Sequence, residues 1–200
     1  MGNFVERIIS LLILILLLPF LILVAILVFL EIKGNPFFVQ ERIGKDKKKF
    51  KLFKFRSMYI DGDERLKDYL SKNPEAEKEW ETYRKLINYD PRITKIGKWL
   101  RRYSIDEILQ LINILMGDMS FVGPRPYVPE ELKRFKKEEE IIFSVRPGLT
   151  GPWQVSGRNK LTFSERIKIE VEYVKNKSFK NDIKILIKTI PSVAKKDGAF

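Results

Sequence analysis

The stretch "IISLLILILLLPFLILVAILVFL", residues 8–30, decides the fold, because it holds no charge and only Ser10 and Pro19 interrupt its apolar run. At about 1.5 Å per residue, a helix of this length reaches roughly the thickness of a bilayer's hydrocarbon core. It is too long for the apolar core of a signal peptide, and no small-residue cleavage site follows it. Length alone therefore argues for a single spanning helix. Pro19 argues against it. At mid-run it deletes one backbone hydrogen bond and clashes with the carbonyl of Ile15, which favours a bent hairpin that enters and leaves the same leaflet. Positive charge follows the run at Lys33, Arg42, Lys45, Lys47, Lys48, Lys49, Lys51, Lys54 and Arg56. That cluster fixes the carboxyl side in the cytoplasm. The amino side, with Arg7 offset by Glu6, states no preference, so both topologies stand on physics alone.

Composition narrows the chemistry. The chain of 200 residues carries a formal charge of +12, which points to an anionic partner: nucleic acid, acidic lipid head groups or a phosphorylated substrate. Cysteine and histidine are both absent. Disulfides, thiol nucleophiles, zinc clusters and an imidazole general base are thereby excluded. Any metal must be held by oxygen, which leaves magnesium, manganese or calcium.

Beyond the run, Phe37–Val39 and "FKLFKF" (50–55) read as two short extended pieces about a turn at Gly44-Lys45-Asp46. The lysines between them suit either a solvated strand edge or a membrane-facing patch. Residues 61–89 are charged and helix-prone. Asn73-Pro74 supplies a cap and a first-turn proline, and Ala76, Trp80, Tyr83 and Ile87 line one face for packing. Residues Ile105 to Met116 have the period of an amphipathic helix capped by Ser104, with Asp106, Gln110 and Asn113 on its polar side and Glu107 on the shoulder. Two glycine- and proline-rich loops follow, "GDMSFVGPRP" and "VRPGLTGPWQVSGRN", and project Arg125, Arg146 and Arg158. A final helix from Asp182 to Lys196 gathers Ile183, Leu186, Ile187, Ile190, Val193 and Ala194 on one face. Its basic flanks suit a core helix or an interfacial one.

Asp106 and Glu107 lie about 100° apart on a helix, so they cannot share one proton as a stacked dyad would. The plain reading is a helix's first turn favoured by the macrodipole. It leaves the arginine-bearing, proline-stiffened loops without a purpose. Arginine on a rigid loop grips phosphate bidentately. Without histidine, nucleophilic chemistry at phosphorus falls to a carboxylate, and a neighbouring carboxylate would hold magnesium. Burial beside arginines is expected to favour the ionised form. P-loop and dinucleotide fingerprints are absent.

Four stretches taken in order, "FFVQERIGKDKKKFKLFKFRSM" (37–58), "DPRITKIGKWLRRYSIDEILQLINILMGDMSFVGPRP" (90–126), "VRPGLTGPWQVSGRN" (145–159) and "EYVKNKSFKNDIKIL" (172–186), closely resemble the bacterial sugar transferases, the monotopic polyprenyl-phosphate phosphoglycosyl transferases. The resemblance covers nearly the whole chain from Phe4. It implies transfer of a sugar-1-phosphate from a UDP-sugar to undecaprenyl phosphate with release of UMP, at the start of glycan assembly. It further implies ping-pong chemistry through a phospho-sugar on Asp106, with Glu107 as ligand of Mg2+ (Mn2+ in its place). Arg101 and Arg125 would grip phosphate, and Arg146 and Arg158 would serve the nucleotide or the loops. Glu170, standing where an Asp is common, joins the substrate-binding set. The family's membrane segment is a re-entrant helix broken at a Ser-Pro pair. Here the pair is Leu18-Pro19. The stretch "KNPEAEKEWETYRKLINYDPR" (72–92) resembles the hexose-1-phosphate branch, whence galactose or glucose as the sugar.

The resulting expectation is an α+β, mostly helical fold. Residues 1–33 would form a re-entrant membrane helix broken at Pro19, and residues 34–200 a cytosolic, membrane-associated catalytic domain with interfacial amphipathic helices and a small β-hairpin. Its place would be the cytoplasmic face of the bacterial inner membrane, in contact with that membrane's lipid. No nucleic-acid partner is expected, and a homodimer is among the arrangements allowed. Two rival readings use the same features: a membrane-anchored basic scaffold for anionic lipid or nucleic acid, and a phosphatase with water as acceptor.

Overall fold

The computed structural model describes residues 2–83, 86, 89–135, 137–157 and 161–194. The apolar run forms one helix, α1 (Gly2–Ile32), with Pro19 inside it. Ser10, Leu21, Val24 and Val28 are buried, and Ile13, Leu14 and Leu17 pack beside them. These positions recur every three or four residues and form one stripe of the helix. The opposite face leaves large apolar side chains exposed from Phe4 to Leu30.

Polar groups tie down both ends of α1. Near its start, the Glu6 carboxylate accepts from Ser120 Oγ at 2.5 Å and from the Phe121 amide at 3.1 Å. Arg7 donates to the Met116 carbonyl, and Ser10 Oγ donates to the Leu111 carbonyl at 2.5 Å. At its end, Glu31 accepts from the amides of Lys95 and Ile96 at 2.8 and 3.0 Å.

The expected hairpin follows: β1 (Phe37–Ile43) pairs antiparallel with β2 (Lys49–Phe55), in a register from Phe37 opposite Phe55 to Ile43 opposite Lys49. β1 runs longer than the Phe-Phe-Val piece read from sequence. Asp46 and Lys47 turn the chain with φ of 55° and 57°. Alternation along β1 puts Phe38, Gln40 and Arg42 on one face, with Lys54 directly opposite Phe38.

The charged segment forms α2 (Gly62–Lys72) and α3 (Pro74–Tyr83). Pro74 opens α3 as expected. Asn73 instead closes α2, donating its amide to the Tyr69 carbonyl at 2.8 Å. Ala76 and Trp80 are half-buried, while Ile87 and the side chain of Tyr83 lie outside what the structure describes. Next comes α4 (Lys95–Arg102), capped by the Thr94 hydroxyl, which accepts from the Gly97 amide at 2.7 Å, and by Glu31 from α1.

The segment after α4 departs from the expected single helix. Ser104 takes a left-handed conformation (φ 55°) with no side-chain cap, residues Ile105–Glu107 form a turn of 3-10 helix, and α5 (Gln110–Met116) begins only afterwards. The amides of Ile108, Leu111 and Ile112 all bond back three residues rather than four. This tighter winding spreads Asp106 and Glu107 to about 120° apart. The polar stripe is also not solvated: Asp106, Gln110 and Asn113 are all buried. Asn113 donates to the Lys51 carbonyl at 2.7 Å and accepts from the Phe53 amide at 3.1 Å, which fastens α5 to the backbone of β2. Gly117, with φ of 93°, terminates α5.

The two loops contain more order than their composition declared. β3 (Ser120–Val122) pairs in parallel with β4 (Gly148–Thr150). A side chain at Gly148 would strike the Gly123 backbone, and one at Gly151 the Gly123 carbonyl, so these glycines permit backbone-on-backbone packing. Helix α6 (Glu138–Ile142) precedes β4 and α7 (Pro152–Val155) follows it. α8 (Phe163–Lys175) starts at a Thr162–Glu165 capping box. α9 (Phe179–Ala194) begins earlier than expected and contains Pro191. It buries Ile185 and turns Phe179, Ile183, Ile187 and Ile190 outward. Lys195 and Lys196 fall outside the described residues. Among the described residues the architecture is thus mostly helical, with two small two-stranded sheets and one amino-terminal apolar helix.

Candidate active site

One face of the hairpin, the 3-10 turn and the two loops enclose a cleft of about 550 Å³. Phe38, Gln40 and Arg42 reach it from β1 and Lys54 from β2. The left-handed Ser104 and the 3-10 winding after it present Asp106, Glu107 and Gln110 along its wall.

The carboxylate pair divides its exposure. Asp106 is 8% exposed, whereas the Glu107 side chain is 38% exposed and meets Lys54 Nζ at 2.6 Å. Burial raises the Asp106 carboxyl most, the charge of Glu107 raises it further, and Lys54 and Arg101 oppose both, leaving it at about 6. This corrects the expectation that arginines would favour ionisation outright, because desolvation outweighs them. At neutral pH the carboxylate is still the majority form. Asp63 also lines the cleft. Magnesium is held by one or two carboxylates together with substrate phosphates; Glu107 has the chemistry of one such ligand, and among the described residues no group of three or more acidic side chains gathers to form a full protein cage.

Arg101 lines the cleft beside the pair, its Nε donating to Ser57 Oγ at 2.8 Å. Burial draws its guanidinium below the ordinary value, against the pull of Asp106. Arg125 enters from the opposite side on the "GPRP" loop, donates to Glu131 Oε1 at 3.0 Å and lies over the Tyr127 and Trp153 rings. Arg146 is half-buried and does not line the cleft; its backbone carbonyl lies against Gly123. Arg158 lies outside the described residues.

Glu170 is fully buried behind the cleft rather than in it. Its carboxylate accepts from the Arg125 amide at 2.9 Å and from the Tyr127 hydroxyl at 2.8 Å, so it splints the loop that carries Arg125. Burial raises its carboxyl to about 7, against the lowering effect of those two bonds and of Arg166 and Arg125.

Sequence reasoning passed over two cleft cations, Lys54 and Arg42. Lys54 had been counted in a strand edge or a membrane patch, and it faces Glu107 instead. Strand parity could have found Arg42, since it shares a face with Phe38 and Gln40. Arg42 donates to the Pro126 carbonyl at 3.2 Å, and burial lowers it to about 10. Arg42 Nε and Trp153 Nε1 are buried without an acceptor at this loop end of the cleft.

Comparison with known proteins identifies the family. The family described as Bacterial sugar transferase matches residues 1–196. The exopolysaccharide production protein ExoY of Sinorhizobium fredii is 44% identical over 195 residues, covering 98% of this chain and 86% of that protein. The UDP-galactose-lipid carrier transferase of Erwinia amylovora is 46% identical over 185 residues, 92% of this chain and 38% of the relative. The undecaprenyl-phosphate galactose phosphotransferase of Salmonella typhimurium is 46% identical over 167 residues, 84% of this chain and 35% of the relative. The chain thus spans well under half the length of the Erwinia and Salmonella proteins.

The Glu170 carboxyl gives a prediction with a definite sign. Its folded value, about 7, lies above the ordinary 4.5, so the folded state retains the proton longer than the unfolded chain does. The stability this confers is complete below about 4.5 and is lost as the pH rises through about 7. Glu170→Gln cannot ionise. The melting temperature of the variant minus that of the wild type should therefore increase from about pH 5 to about pH 8. Parallel melting curves across that range would show that Glu170 is not held protonated by burial.

Proposed function

Because this chain belongs to the bacterial sugar transferase family, we propose that it transfers a sugar-1-phosphate from a UDP-sugar to undecaprenyl phosphate and releases UMP. The observation that carries this reading is a buried carboxylate, Asp106, on the wall of a cleft that also receives Arg42, Lys54, Arg101 and Arg125. A carboxylate among cations suits attack on a phosphorus whose oxygens those cations hold.

In the first step an Asp106 oxygen bonds to the β-phosphorus, and the bond from that phosphorus to the bridging oxygen breaks, so UMP departs with that oxygen. In the second, a phosphate oxygen of undecaprenyl phosphate attacks the same phosphorus. The Asp106–phosphorus bond breaks, and a polyprenyl-diphosphate-sugar is formed. Arg101 and Arg125 hold the phosphate oxygens through both steps, with Ser57 and Glu131 fixing their guanidinium groups. Lys54 orients Glu107. Magnesium, which Glu107 would hold together with the substrate phosphates, would neutralise the phosphate that leaves. Galactose and glucose, which the names of two relatives carry, are the sugars to test first.

The same reading places α1 as a re-entrant anchor, with both of its ends and the catalytic domain on the cytoplasmic face of the inner membrane. Glu6, Arg7 and Ser10 at one end and Glu31 at the other all bond to the same polar domain, which a straight spanning helix would have to place on both sides of the bilayer. Pro19 supplies the site of a bend. The outward apolar face of α9 suits the lipid interface.

Purified wild-type protein should release UMP from UDP-galactose or UDP-glucose, with sustained turnover only when undecaprenyl phosphate is present. EDTA should abolish turnover, and Mg2+ or Mn2+ should restore it. Asp106→Asn, nearly the same shape, should lose roughly a thousandfold or more. Turnover near the wild-type rate in that variant would end the proposal.

Topology has its own test, made simple by a chain with no cysteine. Gly2→Cys and Lys45→Cys should both resist an impermeant maleimide in intact cells and react in inside-out vesicles. Labelling of Gly2→Cys from outside would establish a spanning helix instead.

A further inference from the structure

The two ends of the cleft differ in chemistry. At the loop end lie Arg42, Arg125 and Trp153. At the other end Phe38 and Ile60 line the mouth, and both are exposed, Ile60 to 63%. Exposed apolar side chains at the mouth of a cation-lined cleft mark a binding surface rather than scattered surface residues. The mouth also adjoins the apolar anchor: the Ile60 side chain lies against the backbone of Gly34, just past the end of α1. Just inside, Arg56 lies 5.6 Å from the Phe38 ring and is fixed by bonds to the carbonyls of Asn35 and Phe37. Lys54 stands opposite Phe38 in the hairpin and, with Arg101, acts electrostatically on Asp106.

An apolar mouth that opens beside a membrane helix and leads to cations fits a ligand with a long hydrocarbon chain and a phosphate head. We propose that Phe38 and Ile60 form the entry for the isoprenoid chain of the acceptor lipid, with Arg56 receiving its phosphate before it reaches Asp106. The donor nucleotide then occupies the opposite, loop end. This rests on the reading of the chain as a transferase to polyprenyl phosphate and assigns that substrate's tail to particular side chains.

The test compares kcat/KM for undecaprenyl phosphate with that for geranyl phosphate, which has the same head and a chain too short to fill the mouth, in detergent micelles. Phe38→Ser and Ile60→Asp replace exposed side chains, so both should fold. Each should lower the ratio of long-chain to short-chain kcat/KM about tenfold, the effect of losing one side chain's apolar contact. Tyr89→Asp, at an exposed side chain outside the cleft, controls for general loss of apolar surface and should keep the wild-type ratio. An unchanged ratio in both mouth variants, or an equal fall in Tyr89→Asp, would overturn the assignment. Wild-type protein that transfers to neither phosphate would instead defeat the parent reading, and this one with it.

Discussion

Everything in this molecule depends on how one face of an apolar helix roughly 45 Å long is covered by a polar, basic domain. The hydrophobic stripe of α1 alone would allow it to slide or rotate against its partners. Three polar contacts remove that freedom: Glu6 with β3, Ser10 with the Leu111 carbonyl, and Glu31 with the first amides of α4. The Ser10 hydroxyl is fully buried, and left unpaired it would cost about 1–3 kcal/mol. Since α4 and α5 flank the 3-10 turn that carries Asp106 and Glu107, the anchor also fixes the site. The turn is held between two elements that are both bonded to α1.

The buried polar stripe of residues 106–113 serves packing, and the proposed chemistry would use the same stripe. Asn113 uses its amide to close α5 onto the backbone of β2. Two positions before it on the same stripe, burial works against the charge of Asp106. Lys54 and Arg101 recover part of that cost but not all of it. A carboxylate kept poorly solvated and only partly compensated is a stronger nucleophile than one neutralised by a close ion pair. Glu107, more exposed and paired with Lys54, is electrostatically the quieter member.

Features with a local cause were legible in the sequence. The apolar run, the hairpin about Gly44–Asp46 and the first-turn Pro74 all stand where periodicity or turn chemistry put them. What escaped the reading was set by tertiary contacts. The helix expected from Ile105 breaks because Ser104 adopts a left-handed backbone and the turn after it packs against the hairpin, which no propensity records. The parallel pairing of β3 with β4 joins two loops whose glycines looked like punctuation but serve close approach. Glu170 was placed among the substrate ligands by resemblance, yet it lies behind Arg125 and holds its loop. Arg42 was hidden in a run of basic residues and becomes visible only once strand parity assigns it to the cleft.

The account stands or falls on the covalent bond at Asp106. The most direct measurement incubates the protein with labelled UDP-sugar and no polyprenyl phosphate, quenches the mixture, and locates the adduct by peptide mass spectrometry. The account predicts an acid-labile phospho-sugar on Asp106, discharged when undecaprenyl phosphate is added before the quench. An adduct on another residue, or none in a preparation that turns over normally, would contradict it.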